Sequence, residues 1–258
     1  MRGYWVMFDR VKMFGIEIDR LTMDQAVAQL LDWIGEQEYH CRYVVTPNVD
    51  HIVKLQNNEA FRIVYKDAEM VVVDGKPVLW ASRLLNKLLP ETVPGSDLCP
   101  ALFEAARARG KLRVFLLGAA DGVADRAATA IQERWPWVEI CGTYSPPMGF
   151  SASSPANEVA LEKINAARPD VLVIGLGAPK QEIWVHAMRD QLNVKVALCV
   201  GATIDFLAGE KIRAPHWIRK IGLEWLHRAL SEPRRLLLRY MHDAWVFPWL
   251  VIREWLSK

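Results

Sequence analysis

The run Val171-Leu172-Val173-Ile174, closed at once by Gly175-Leu176-Gly177-Ala178-Pro179, constrains this chain more than any other segment. A strand without a polar face must be covered on both sides, as in a parallel sheet sandwiched between helices. The two glycines give a tight exit from the strand, and Pro179 fits the first turn of a helix that begins near Gln181. The same alternation recurs along the second half. Leu112–Leu117 leads through Gly118-Ala119-Ala120-Asp121-Gly122 into a helix reaching about Trp135. Val138–Thr143 precedes a loop with Pro146, Pro147 and Gly149, then a helix over Pro155–Ala167. Val194–Val200 stops at Gly201.

The first half carries the same elements with weaker punctuation. Phe14–Ile18 reads as a strand. Thr22 and Gln25 form a capping box ahead of Ala26, Leu30, Leu31 and Ile34, which recur at helical spacing. Arg42–Thr46 is a strand broken by Pro47-Asn48, and Asn58 caps a helix through Ala68. Met70–Val73 ends on Asp74-Gly75. A helix from Asp97 to about Ala108 closes at Gly110. Strands alternating with helices give an α/β chain: a Rossmann-like, largely parallel sheet with helices on both faces.

Ligands of such sheets bind beyond the carboxyl ends of the strands. Asp74 ends an apolar strand there, where partial desolvation can raise a carboxylate pKa and suit it to general-base work. Its plain alternative is a cap for the next helix. Thr46 and Asn48 present short hydrogen-bonding groups at a neighbouring strand end, or serve simple turn chemistry. Lys180 and Gln181 lie in the first turn of a helix, where the dipole favours an anion; the alternative is an ordinary loop with a solvated lysine. Gly118–Gly122 permits close backbone approach to a phosphate, yet it lacks the GxGxxG pattern and an acidic residue about 20 positions on. A tight turn explains it equally well.

The six histidines show neither HxxxH nor HExxH spacing, and His51 and His186 read as helix-surface residues. Cys41, Cys99, Cys141 and Cys199 are widely separated, as expected of reduced thiols rather than a zinc site. No DxD pair is present, so no metal or other cofactor is expected. The opening Met1–Asp9 is apolar but meets charge too soon for a signal-peptide core.

The last fifth differs in character. From Lys211 to Lys258 there are ten Lys/Arg against four Asp/Glu, together with Trp217, Trp225, Trp245, Trp249 and Trp255. Residues 1–210 hold 22 basic against 26 acidic residues, so a net +2 hides a tail of +6. Cationic, Trp-rich helical segments suit an anionic membrane surface. No uncharged apolar stretch approaches the roughly 20 residues that a membrane span needs. The aromatics sit among aliphatic runs, which fit lipid better than nucleic acid. The expected division is a catalytic domain over 1–210 and a helical membrane-docking appendage over 211–258.

Several strings together resemble one family. Thr46-Pro47-Asn48-Val49-Asp50-His51, Val72-Val73-Asp74-Gly75, Pro94-Gly95-Ser96-Asp97-Leu98, Gly175–Glu182, Gly201-Ala202-Thr203 and Arg213-Ala214-Pro215 resemble the WecG/TagA/CpsF glycosyltransferases. Gly222-Leu223-Glu224-Trp225-Leu226-His227-Arg228 and Glu232-Pro233-Arg234-Arg235 extend the resemblance, which runs in order from about Phe14 to Tyr240. It implies an inverting transfer of a hexose (N-acetylmannosamine, its uronic acid or glucose) from a UDP-sugar to a polyprenyl-diphosphate-linked saccharide. The implied location is the cytoplasmic face of the plasma membrane, held peripherally.

Residue by residue, the resemblance makes Asp74 the base and Thr46 a substrate-positioning hydroxyl beside it. Gln181, with Lys180, would contact the donor. Asn48, Gly95, Asp97, Gly118, Gly177, Gly201 and Asp205 complete the expected substrate-binding set. Arg213, Arg228, Arg234 and Arg235 would meet the acceptor's diphosphate or the membrane. One departure is visible: many relatives have an arginine before the glycine-x-aspartate block, where this chain reads Glu91-Thr92-Val93. A non-enzymatic nucleotide-sugar or membrane-binding module and a Rossmann-type oxidoreductase are the competing readings. Partners other than substrates are open, a homo-oligomer among them.

Overall fold

A computed structural model of the chain describes residues 9–220 and 222–257; the opening apolar segment lies outside the described residues. The chain begins with β1 (Arg10–Met13), β2 (Ile16–Asp19) and α1 (Met23–Ile34). β3 (Arg42–Val45) leads through α2 (Val49–Leu55) and α3 (Glu59–Asp67) to β4 (Met70–Val71), then α4 (Lys76–Leu84) and α5 (Gly95–Ala105). Next come β5 (Leu112–Gly118), α6 (Val123–Arg134), β6 (Val138–Tyr144), α7 (Ala156–Ala167), β7 (Val171–Gly175), α8 (Lys180–Met188) and β8 (Val196–Cys199). The described chain finishes with α9 (Thr203–Leu207), α10 (His216–Lys220), α11 (Glu224–Ser231) and α12 (Pro233–Leu256).

Six strands form one parallel sheet in the order β4-β3-β8-β7-β5-β6. Successive side chains on a strand point to opposite faces, and here both faces are apolar. Tyr43, Val45, Phe115, Leu117, Leu172, Ile174, Ala197 and Cys199 enter one core with Ile52, Phe61 and Trp184. Val44, Val114, Leu116, Val171, Val173, Val196 and Leu198 enter the other with the buried stripes of α1, α5 and α6. The strands are continuous apolar runs for this reason.

Three boundaries differ from the sequence reading. The strand expected over Phe14–Ile18 is the second half of an antiparallel hairpin, β1 with β2. Phe14 (φ 54°) and Gly15 (φ 83°) form its turn, both at the positive φ that a two-residue hairpin turn requires. β4 is paired only over Met70–Val71, because its neighbour β3 ends at Val45. Helix α5 begins at Gly95 rather than Asp97, and a 3₁₀ turn over Ala106–Arg109 carries it to Gly110.

Helix α12 has two apolar stripes. Leu236, Phe247, Leu250 and Val251 are buried, with the Phe247 ring 5.5 Å from Phe14. Leu238, Met241, Trp245, Trp249, Ile252 and Leu256 are exposed. The pairs Lys87–Glu254 at 2.7 Å and Arg253–Gln56 at 2.5 Å anchor its end to the body. Among the described residues no helix is long and apolar enough to cross a membrane.

The strand ends are packed through glycine. Gly118 sits at φ +116°, and a Cβ there would lie 2.6 Å from the Gly175 carbonyl. Gly118→Ala therefore combines backbone strain with a backbone clash, and should lose about 1–3 kcal/mol of stability. Chemical denaturation measures this, and an unchanged midpoint would show that the loops are free to shift.

Candidate active site

A cavity of about 710 Å³ opens beyond the carboxyl ends of β3, β4 and β8 and is roofed by α11 and α12. Asn48 reaches it from the turn after β3 and Asp50 from the start of α2, while Asp74 and Gly75 reach it from the turn after β4 and Lys76 from the start of α4. Gly95, Ser96 and Asp97 contribute the first turn of α5, while Glu224, Arg228, Arg239, Tyr240 and Asp243 close it from the tail.

Asp74 is held in place by its backbone N–H, which donates to the Pro47 carbonyl at 2.9 Å. It does not cap α4: Gly75 occupies that position, with no side-chain cap. Burial pushes the Asp74 carboxyl up to about 6, and Glu224 adds to the rise while Arg228 and Arg213 oppose it. A carboxylate in that range is ionised at neutral pH and still basic enough to accept a proton.

Asp97 anchors the tail over this cavity. Arg213 donates to both its oxygens, at 2.6 and 2.8 Å, and Arg219 adds a contact at 3.3 Å. Burial would raise the Asp97 carboxyl, but the hydrogen bonds and charge of these guanidinium groups outweigh it and hold the group below its ordinary value. The fork of Arg213 is thus engaged within the protein, also meeting Glu224 at 3.4 Å. Arg228 faces the cavity with its guanidinium over the Phe206 ring. Arg234 and Arg235 lie in α12, but their side chains fall outside the described residues.

Asn48 lines the cavity and caps α2, accepting from the His51 N–H at 3.1 Å. Thr46 is buried, its hydroxyl donating to the Cys199 carbonyl at 3.4 Å across the ends of β3 and β8. Gln181 is also buried. Its amide oxygen accepts from the N–H groups of Gly177 and Gly201, both at 3.2 Å, and its amide nitrogen donates to Glu182 at 2.7 Å. It staples the loops after β7 and β8 together. Burial pushes Glu182 itself up to about 7, against the opposing Gln181 hydrogen bond. Lys180 is exposed at the start of α8, Gly118 packs on Gly175, and Asp205 lies 3.8 Å from Lys211.

His51 departs from the helix-surface reading. It is buried, Nδ1 lies 2.7 Å from the Tyr65 hydroxyl, and desolvation lowers it to about 4. The apolar stripe of α2 turns that face inward. His186 is half-buried and pairs with Asp67 at 3.0 Å. Glu91, in the stretch where the expected arginine is missing, accepts from the Met23 N–H at 2.6 Å. Among the described residues no three His, Cys, Asp or Glu side chains are grouped to hold a metal ion.

Sequence reasoning did not place Trp80, Tyr240 or Asp243 at the site. For Tyr240 and Asp243 the signal was available: Leu236, Tyr240, Asp243 and Phe247 recur at helical spacing on one face of α12.

The description "Glycosyl transferase WecG/TagA/CpsF family" matches residues 11–258. An N-acetylglucosaminyldiphosphoundecaprenol N-acetyl-beta-D-mannosaminyltransferase of Staphylococcus aureus (strain MRSA252) is 30% identical over 227 residues, covering 88% of this chain and 87% of the relative. The protein of the same name from strain MW2 matches with the same identity and coverage.

The Asp74 assignment predicts a sign for stability. Its folded-state pKa lies above the unfolded value of 3.8, so the native state bears the cost of ionising it above about pH 6 and none of it below 3.8. Asp74→Asn should melt higher than the parent at pH 7.5, with the gap closing at pH 3.5. Equal melting at both values would mean that Asp74 is not desolvated.

Proposed function

The chain belongs to the WecG/TagA/CpsF glycosyltransferase family, and from that premise we propose that it transfers an N-acetylmannosamine-type hexose from a UDP-sugar to a polyprenyl-diphosphate-linked N-acetylglucosamine. The observation that carries this is Asp74, a carboxylate raised to about 6 in a strand-end cavity that also holds Lys76, Arg219, Arg228 and Arg239. The named relatives transfer N-acetylmannosamine to such an acceptor, which supports the choice of sugar over its uronic acid or glucose.

In the proposed reaction an acceptor hydroxyl gives its proton to the Asp74 carboxylate. The resulting oxygen attacks the anomeric carbon from the face opposite the nucleotide. The bond from that carbon to the diphosphate oxygen breaks, and UDP leaves with the electron pair. Inversion follows from the single displacement. Arg228 and Lys76, the cavity cations beside Asp74, stabilise the developing charge on UDP, and no metal is required. They take the place of the arginine that Glu91-Thr92-Val93 lacks. Thr46 and Gln181 act by fixing the loops around the base and the donor.

We further assign the outer stripe of α12 to a membrane surface. A helix apolar on both stripes is suited to burial on both, and the exposed Trp245, Trp249 and Ile252 provide the second face. Peripheral attachment at the cytoplasmic leaflet, where a polyprenyl-linked acceptor resides, is the location that fits.

The direct test is incubation with a panel of UDP-sugars and a short polyprenyl-diphosphate-N-acetylglucosamine, with product read by mass spectrometry. Asp74→Asn should lower turnover by roughly 10²–10⁴, and parental kcat/KM should fall tenfold per pH unit below about 6. Near-parental transfer by the variant would remove Asp74 from the mechanism. Addition of EDTA should leave the rate intact; its loss, with recovery on adding a divalent cation, would overturn the metal-independent reading. Replacing Trp245 and Trp249 with Ala should release the protein from anionic vesicles while transfer to a detergent-soluble acceptor persists. Undiminished vesicle sedimentation would refute the docking face.

A further inference from the structure

We propose that Asp243 is a sugar-recognition residue of the same cavity, its carboxylate accepting a hydrogen bond from a hydroxyl of a bound sugar. The inference rests on the sugar-transfer reading above and adds a residue to it.

Asp243 lines the cavity from α12 yet is only 4% exposed. Its Oδ2 is fully buried and has no hydrogen-bond partner within the protein. Its other oxygen lies 3.6 Å from His242 Nδ1, beyond a hydrogen bond. A buried carboxylate oxygen left unsatisfied costs stability, and native structures contain few such groups. Burial, and secondarily the charge of Asp50, raise its pKa.

The neighbours narrow the ligand. Around Asp74 the charged groups are Glu224, Arg228, Arg213 and Asp97. Around Asp243 they are Asp50, Arg239 and His242. The cavity therefore has two charged poles. At the second, Asp50 already takes Lys54 at 2.7 Å and Arg239 at 3.7 Å. There Asp50 and Asp243 balance Lys54 and Arg239, whose buried Nε has no partner within the protein, so this pole has no excess of positive charge for a diphosphate. What Asp243 lacks is a neutral hydrogen-bond donor. A sugar hydroxyl supplies one, and a sugar and a diphosphate of one ligand then divide naturally between the two poles. Lys54 also donates to the Ala178 carbonyl at 3.1 Å, tying this pole to the loop after β7.

Binding and kinetics of Asp243→Ala and Asp243→Asn test the assignment, with UDP, UDP-N-acetylmannosamine and a short-chain diphosphate-linked N-acetylglucosamine as probes. Asp243→Ala should weaken one of the two sugar ligands by roughly 10- to 100-fold, as for a hydrogen bond to a charged group. KM for that substrate should rise with it, kcat should change little, and UDP affinity should hold. Whichever ligand responds identifies the donor or the acceptor sugar. Asp243→Asn, which keeps an acceptor oxygen, should recover part of the loss. Neither variant should melt below the parent, since each removes an unsatisfied buried charge. Unchanged affinity for both sugar ligands, or a melting temperature that falls with no selective loss, would overturn the proposal. If the parent transfers no sugar but Asp243→Ala still weakens a sugar ligand, the transfer reading fails and the recognition role stands.

Discussion

Arg213 and Arg219, both from the segment after Lys211, converge on one carboxylate, Asp97, in the first turn of α5. This clamp fixes the start of the tail over the cavity, while α12 is also held by its buried stripe and by the pair Lys87–Glu254. Arg213 meets Asp97 with both ends of its fork, a geometry that fixes orientation as well as distance. Once α10 and α11 are held there, Glu224 and Arg228 are brought to the edge of the strand ends and α12 is directed across α2. The tail so placed covers the carboxyl ends of β3, β4 and β8, where Asp74 is desolvated. The pair is partly buried, so its removal would leave charges poorly compensated in a low dielectric.

The roof explains how one protein can join chemistry at a sheet edge to a lipid-linked substrate. The inner stripe of α12 belongs to the core that also holds β3 and β7, while the outer stripe is apolar and exposed. A single helix thus contributes Tyr240 and Asp243 to the cavity and Trp245 and Trp249 to the opposite face. In the proposed function both are needed at once, since the reacting sugar is water-soluble and its carrier is not. The exposed tryptophans are consistent with an interfacial surface, where an indole ring can satisfy both its apolar body and its N–H.

The buried acids near the site differ from the buried amide. Gln181 is satisfied on both sides of its amide and acts as a staple between the loops after β7 and β8. Its value is positional, because Gly177 and Gly201 have no side chains with which to fix themselves. Glu182 and Asp243 each keep an unpaired oxygen. Of these, Asp243 faces the cavity, and Glu182 is wholly enclosed beside Gln181. The distinction separates an orienting role from a recognition role.

Much of the fold was legible because it rests on local rules. Continuous apolar runs ending on glycine specify buried parallel strands, and Thr22 with Gln25 specifies a helix start regardless of what packs above it. The β1–β2 hairpin escaped because its turn uses Phe14 at positive φ, a conformation residue identity does not announce. At the site, the sequence pointed to Asp74 through its place at the end of an apolar strand. It could not reveal that Arg213 turns to Asp97, that Gln181 is consumed as a staple, or that Asp243 faces the cavity. Those outcomes depend on partners 116, 20 and some 190 residues away along the chain. Periodicity and capping are decided within a few residues, so the sequence determined most of the strands and helices and the strand end that bears the acid. Hydrogen-bond partners and burial are decided by which distant segments meet, so only the tertiary structure chose which charges are spent on the fold and which face a ligand.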